Sequence, residues 1–271
     1  MPVVYPNWTL GEKETLLRNL GTMSYKDLAV LLPGRTVHAV KRRADLCGFV
    51  RDNAKQSRLA RLRIARNDGF FAMPTDLSAY WAGFLAADGC VVTSPRHEVR
   101  LKLSNVDSVH VDQFCKDTGW SGTPYLSADS FYGVTVSGAK PWTQDLWQVW
   151  NIGPRKTWNL DAPRRLSPEF IPSYIAGYID GDGCVFAREG TERQRIKVAG
   201  TKLLLEWIGA WVKSISGYAQ GRIAYENGCC NMTFSDCSIP YVWDCVKKHS
   251  IPLLYRKWAK LIEKETWNGE G

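Results

Sequence analysis

The period of the apolar positions changes several times along the chain, and each change marks an element. The run Trp8-Thr9-Leu-Gly-Glu-Lys-Glu14-Thr-Leu-Leu17 sets a capping residue before an amphipathic helix. Ser24 to Leu32 reads as a second short helix, and Thr36 to Leu46, stopping at Gly48, as a third. In the third helix Val37, Val40 and Ala44 are expected to face a core, with Arg35, His38, Lys41, Arg42 and Arg43 outward. Residues 50–73 lose all periodicity. Arg51, Lys55, Arg58, Arg61, Arg63 and Arg66 run among Gln, Ser, Asn and Asp up to Gly69-Phe-Phe-Ala-Met-Pro74, the composition of a basic linker.

An almost wholly apolar stretch then occurs twice, as Ser78-Ala-Tyr-Trp-Ala-Gly-Phe-Leu-Ala-Ala-Asp-Gly-Cys-Val91 and Pro172-Ser-Tyr-Ile-Ala-Gly-Tyr-Ile-Asp-Gly-Asp-Gly-Cys-Val185. Each predicts a short buried helix that ends at an aspartate followed by glycine, a helix stop and a sharp turn. Gly83 with Ala87, and Gly177 with Gly181, lie one turn apart on one face. Mid-helix glycine costs about 1 kcal/mol relative to alanine, so two copies that keep this stripe are expected to pack against each other. Asp88 and Asp182 would then meet at the foot of the pair.

Downstream of each copy the elements come in the same order. After the first come a strand at Cys90-Val-Val92 and one at Glu98 to Ser104, where inward Val99, Leu101 and Leu103 alternate with outward Arg100, Lys102 and Ser104. A helix over Val109 to Lys116, a hairpin over 123–136 with Tyr125, Tyr132, Val134 and Val136 inward, and a helix over Trp142 to Ile152 complete the unit. In the second copy Arg193, Arg195 and Lys197 alternate with Gln194, Ile196 and Val198, before a helix over Leu203 to Ser214. A hairpin through Arg222 and 230–235 comes next, with Asn231, Thr233 and Ser235 on its polar face. Helices over Pro240 to Lys248 and Leu254 to Lys264, and a frayed tail from Glu265, end the chain. The fold class is α+β: two pseudo-symmetric αββαββα repeats after a small all-α domain, divided as 1–49, a linker over 50–73, 74–166 and 167–271.

The chain has 271 residues, 45% hydrophobic, with twelve tryptophans, which is enough for folded domains with real cores. It has no span of twenty apolar residues, and its start lacks a secretory pattern, so an intracellular protein without membrane contact is expected. The eight cysteines show no Cys-x-x-Cys spacing and read as buried free thiols; Cys229, Cys230, Cys237, Cys245 and His249 make only a poor zinc set. Net charge is +8, of which residues 1–73 carry +7 and residues 74–271 +1. This balance points to a polyanionic partner, held first by the N-terminal seventy residues. Basic strand faces at equivalent positions of two repeats favour a curved double sheet across which a duplex lies.

Trp81-Ala-Gly-Phe-Leu-Ala-Ala-Asp-Gly89 and Ile175-Ala-Gly-Tyr-Ile-Asp-Gly-Asp-Gly183 resemble the paired motifs of single-chain LAGLIDADG homing endonucleases, over residues 74–262. The Trp8 start and the Gly34-Arg-Thr-x-x-Ala-Val40 run resemble Myb/SANT-like helix-turn-helix modules. The first resemblance implies a monomeric, site-specific double-strand DNA endonuclease with a long target, leaving short 3′ overhangs, on a DNA-binding saddle. Two carboxylates are few for a hard cation, which suits Mg2+ that keeps waters and shares substrate phosphate oxygens. The resemblance makes Asp88 and Asp182 its ligands, with the backbone carbonyls of Ala87 and Gly181. It also gives catalytic roles to Lys156 in Ile152-Gly-Pro-Arg-Lys-Thr157, to Lys257 in Leu254-Tyr-Arg-Lys-Trp258, and to Asn105, whose partner position is taken as Gly200. Ala86 stands where Asp180 keeps a further acid. DNA contacts are expected from Arg35, His38, Lys41, Arg42 and Arg43, from Arg58, Arg61 and Arg63, and from the strand faces at Arg100, Lys102, Arg193, Arg195 and Lys197. An intron maturase that binds RNA, or a regulator that has lost cleavage, are the competing functions.

Overall fold

The computed structural model describes residues 7–49, 64–187, 194–218, 221–226, 228–234, 236–259 and 261. Arg58, Arg61, Arg63, Arg193, Ser235 and the tail from Glu265 lie outside them. The chain forms two compact units, Met1–Arg63 and Ile64–Gly271. No helix among the described residues is long and apolar enough to cross a membrane.

The first unit holds α1 (Leu10–Asn19), α2 (Tyr25–Leu31) and α3 (Val37–Leu46). Each start is fixed by a hydroxyl that accepts an orphan backbone N–H: Thr9 from Glu12, Ser24 from Asp27 and Thr36 from Ala39. Leu16, Leu20, Leu28, Leu32, Val40 and Ala44 close a small core. Val37, expected inside, is 45% exposed, because the first turn of α3 runs past this short core. Arg35 departs further from expectation. Its side chain is 8% exposed, with Nε 2.7 Å from Glu12 Oε1. Its Nη2 donates to Glu12 Oε2 at 2.9 Å and to the Asn7 carbonyl at 2.9 Å, and its guanidinium lies over the Trp8 ring. The Arg35 bond, aided by the Thr9 backbone N–H, holds Glu12 down to about 2. Arg35 therefore locks this unit together and is withdrawn from any groove.

The second unit repeats one pattern. The first copy runs α4 (Asp76–Ala87), β1 (Gly89–Val92), β2 (Glu98–Ser104), α5 (Ser108–Asp117), β3 (Tyr125–Leu126), β4 (Phe131–Val136), α6 (Lys140–Gln148) and the single turn α7 (Lys156–Asn159). The second runs α8 (Ile171–Asp182), β5 (Gly183–Ala187), β6 (Gln194–Gly200), α9 (Lys202–Ser216), β7 (Ile223–Glu226), β8 (Cys229–Thr233) and α10 (Ile239–Val246), with a further helical turn at 255–259. The sheets are antiparallel with matching orders, β1-β2-β4-β3 and β5-β6-β8-β7. Val99, Leu101, Leu103, Val134 and Val136 are buried on one face, as are Ile196, Val198 and Met232 in the second sheet. Tyr125, expected inward, is 42% exposed, since β3 is a two-residue edge strand too short to reach the core.

Residues 64–73 belong to this unit and are not linker. The Asn67 N–H donates to the Thr118 carbonyl and the Ser121 N–H to that of Ala65, both at 2.9 Å. Two buried indoles donate to the same segment, Trp142 to the Asn67 carbonyl and Trp150 to that of Phe71. Phe71 itself is fully buried. Polar composition masked this, because the segment is held through its backbone.

Helices α4 and α8 lie against each other at the centre of one continuous core. A Cβ added to Gly83 would sit 2.0 Å from the Tyr174 carbonyl oxygen, and one on Gly177 would sit 1.9 Å from that of Tyr80. One on Gly181 would sit 2.2 Å from the Ala87 Cβ. The reciprocity of the first two contacts is that of a pseudo-twofold axis between the helices, and only glycine permits backbones this close. Gly83→Ala and Gly177→Ala should each lower stability by about 1–3 kcal/mol or more, despite alanine's better helix propensity. Urea unfolding monitored by tryptophan fluorescence checks this; a gain in stability would show that the helices are not in backbone contact.

Candidate active site at the foot of the paired helices

Asp88 is the C-cap of α4 and Asp182 the last residue of α8. The glycine after each allows the next strand to leave beside the helix end: a Cβ on Gly89 or Gly183 would lie 2.6 Å from the carbonyl oxygen of Leu85 or Ile179. The last carbonyls of a helix have no partner within it and carry the negative end of its dipole. A lysine serves each end. Lys156 Nζ donates to the Ala86 carbonyl at 2.6 Å and also to that of Ala87. Lys257 Nζ donates to the carbonyls of Ile179 and Gly181 at 3.1 Å, to that of Gly183 at 2.8 Å, and to that of Asp180. The two lysines predicted from sequence thus converge with the two aspartates.

Each carboxylate opens to solvent on one side, while protein on the other strips part of its hydration. That desolvation, reinforced by the charge of Asp88, pushes Asp182 up to about 6 against the pull of Lys156 and Lys257. Asp88 is raised by the same loss of hydration, opposed by both lysines. Burial lowers both lysines, and the acids oppose it. The two lysines only partly offset the loss of hydration at the two acids beside the helix C-termini. The donors here are oxygens only, and a carbonyl that accepts from lysine keeps a second lone pair. These residues fit a hard divalent cation that brings its own waters. Among the described residues no group of three or more His, Cys, Asp or Glu is placed to hold a metal, those of the zinc set included, and Cys47, Cys90, Cys184, Cys229 and Cys237, expected buried, are exposed because they lie on outward strand or helix-end positions.

Asp180 has another task. It is 1% exposed, and its carboxylate accepts from the Tyr80 hydroxyl at 2.6 Å, the Leu254 N–H at 2.9 Å and the Trp258 indole at 2.7 Å. Burial still pushes it up to about 6. The Tyr80 hydroxyl also meets His110 Nε2 at 3.0 Å. This acid faces the core and ties the C-terminal segment to α4. In the first copy Ala86 holds the matching place, and the hydroxyl of Tyr174, which matches Tyr80, is buried without a partner among the described residues.

Asn105 is exposed in a 3-10 turn, Asn105–Asp107, its N–H on the Ser130 carbonyl at 3.2 Å. Its pairing with Gly200 does not survive the sheet register. Gly89 pairs with Leu101 and Gly183 with Val198, so Gly200, two residues past Val198, matches Leu103. The turn carrying Asn105 has no counterpart, since β6 passes directly to Thr201, the N-cap of α9.

Of the basic residues expected at DNA, His38, Lys41, Arg42 and Arg195 are exposed, while Arg43 and Lys197 are half-buried. Arg100 pairs with Glu98 on its own strand, and Lys102 lies over the Phe131 ring near Asp129. Arg256, absent from the residues expected at the site, reaches Asp107 in the other repeat; neither spacing nor motif signals such a pairing.

No protein-family model and no curated protein matches this chain. Among solved structures it is similar to the homing endonuclease I-WcaI bound to its DNA recognition sequence, at 10% identity over 79% of this chain and 96% of that one, with a TM-score of 0.49. It is also similar to the I-LtrWI LAGLIDADG homing endonuclease bound to target DNA, at 12% identity over 74% and 92%, TM-score 0.46. Mesophilic variants of the homing endonuclease I-DmoI match at 15% identity over 71% and 97%, TM-score 0.44.

The raised Asp182 carboxyl binds its proton more tightly in the folded chain than in the unfolded one. Its contribution to stability therefore falls as pH rises from its ordinary 3.8 to about 6. Asp182→Asn should be more stable than the parent at pH 7, and the difference should shrink toward pH 4. Urea midpoints across that range test the sign; a difference that grows on acidification would mean the carboxyl is not raised.

Proposed function

We propose that this protein is a site-specific double-strand DNA endonuclease of the LAGLIDADG homing type, dependent on Mg2+ and acting as a monomer. The observation that carries the reading is the convergence of Asp88 and Asp182, one from each repeat, at the foot of two helices in backbone contact. Asp88, Asp182 and the carbonyls of Ala87 and Gly181 would hold the metal. When bound, it supplies an acidified water and offsets charge on the phosphate. Lys156 and Lys257, held over the helix ends, lend positive charge where the phosphoryl group gains negative charge. Asn105, exposed in its turn, would offer an amide to order water at the site. Arg100, Lys102, Arg195 and Lys197 would border the duplex, and His38, Lys41, Arg42 and Arg43 of the helix-turn-helix unit would add contacts to phosphates and a groove.

With magnesium, the protein should linearise a plasmid carrying the sequence formed when the DNA flanking its gene is rejoined, leaving short 3′ overhangs. Cleavage that persists in excess EDTA would remove the metal from the reading. Asp88→Asn or Asp182→Asn should retain binding and lose double-strand cleavage by on the order of a hundredfold or more; parental rates in either variant would free that carboxylate of its role.

A chain starting at Ile64 should bind the same DNA more weakly. Its log K should depend less steeply on log salt, by about 0.9 for each phosphate no longer neutralised by the protein. Equal slopes, measured by fluorescence anisotropy, would show that residues 1–63 do not touch the duplex.

A further inference from the structure

The two repeats place an N-cap residue at the same point, before the helix that comes after the second strand, and use it differently. Thr201 caps α9 in the ordinary way, its hydroxyl accepting from the Leu204 N–H at 3.3 Å. Asp107 stands at the N-cap of α5 and makes no side-chain cap. Its carboxylate instead accepts two bonds from Arg256 of the C-terminal segment, from Nε to Oδ1 at 2.7 Å and from Nη2 to Oδ2 at 2.6 Å. Asp107 is only 9% exposed, so the fork closes over a largely buried acid. This bidentate geometry fixes orientation as well as distance.

Both ends of the bridge adjoin the candidate active site. Arg256 directly precedes Lys257, whose ammonium spans the carbonyls at the end of α8. Asp107 ends the three-residue turn that begins at Asn105 and exists only in the first repeat. Its charge is felt at Asp88, and those of Arg256 and Lys257 are felt at Asp107. The reciprocal bridge does not form: Arg155, which matches Arg256, makes no ion pair among the described residues, and the N-cap matching Asp107 is the uncharged Thr201.

We infer that Asp107 and Arg256 are positioning residues for one half of the active site, an inter-repeat clamp that holds Lys257 over the end of α8 and the Asn105–Asp107 turn against the C-terminal segment. The inference rests on the nuclease reading for its catalytic meaning, but the clamp itself has a consequence independent of cleavage. With the clamp intact Lys257 is shielded, while Lys156, which has no clamp, reports the rest of the fold.

The test uses the full chain and its Asp107→Asn, Asp107→Glu and Arg256→Gln variants. Reductive methylation with formaldehyde and borohydride, without DNA or metal, is read at each lysine by mass spectrometry. Asp107→Asn and Arg256→Gln should each raise modification of Lys257 by roughly threefold or more and leave Lys156 unchanged. Asp107→Glu should restore protection, and the double variant should add little to either single one. An equal rise at both lysines would mean general loosening, and no rise at Lys257 would mean that the bridge holds nothing; either result overturns the clamp. In single-turnover cleavage with strand-specific labels, one rate constant should fall by about ten- to a hundredfold and the other should hold. Equal slowing of both strands also overturns the inference. If the parent cuts no DNA at all the nuclease reading fails, while the methylation pattern still decides the clamp.

Discussion

Everything in the larger unit depends on two helix backbones in direct contact. The carbonyl oxygens of Tyr80 and Tyr174 occupy the space that a Cβ on Gly177 and Gly83 would fill, so α4 and α8 meet without intervening side chains. Close approach at that level fixes the helices in register, and register decides where they end. Because each ends at an aspartate followed by glycine, one packing contact sets both the symmetry of the fold and the place where two acids converge. The first strand of each sheet starts at those ends, at Gly89 and Gly183.

The foot of the pair is a balance of like and unlike charge. Two carboxylates and two helix C-termini concentrate negative potential, and two lysines answer it by bonding to the last carbonyls. The lysines only partly offset the loss of hydration which, with the charge of Asp88, pushes Asp182 up to about 6. Under the proposed function, the cation and the phosphate would meet at this foot, between the two acids and the two lysines.

Around this symmetric centre the repeats diverge. Asp180 has become a buried anchor for Tyr80 and Trp258, whereas Ala86 leaves the Tyr174 hydroxyl unmet among the described residues. Asp107 bridges repeats where Thr201 only caps a helix. The second repeat's C-terminal segment thus holds both itself and part of the first, and the two halves of the site are supported by different contacts.

The sequence determined the repeat, the strand alternation and the two aspartates that end the paired helices, since each is written in local period or in a motif: Val99, Leu101 and Leu103 could face inward only one way, and Asp-Gly could end the helices only where it stands. It also marked Lys156 and Lys257 by their place in matching motifs. Tertiary structure decided what depends on partners distant in the chain. Arg35 has the spacing of a groove-facing cation, but Glu12, 23 residues earlier, claims it. Residues 64–73 have the composition of a linker because their anchors are backbone groups met by Trp142 and Trp150. Asn105 and Gly200 count as equivalent along the chain because residue counting cannot see an added turn, and the Asp107–Arg256 bridge spans 149 positions. Local chemistry is carried by neighbouring residues and is legible there; the assignment of one charge to another is made by the fold.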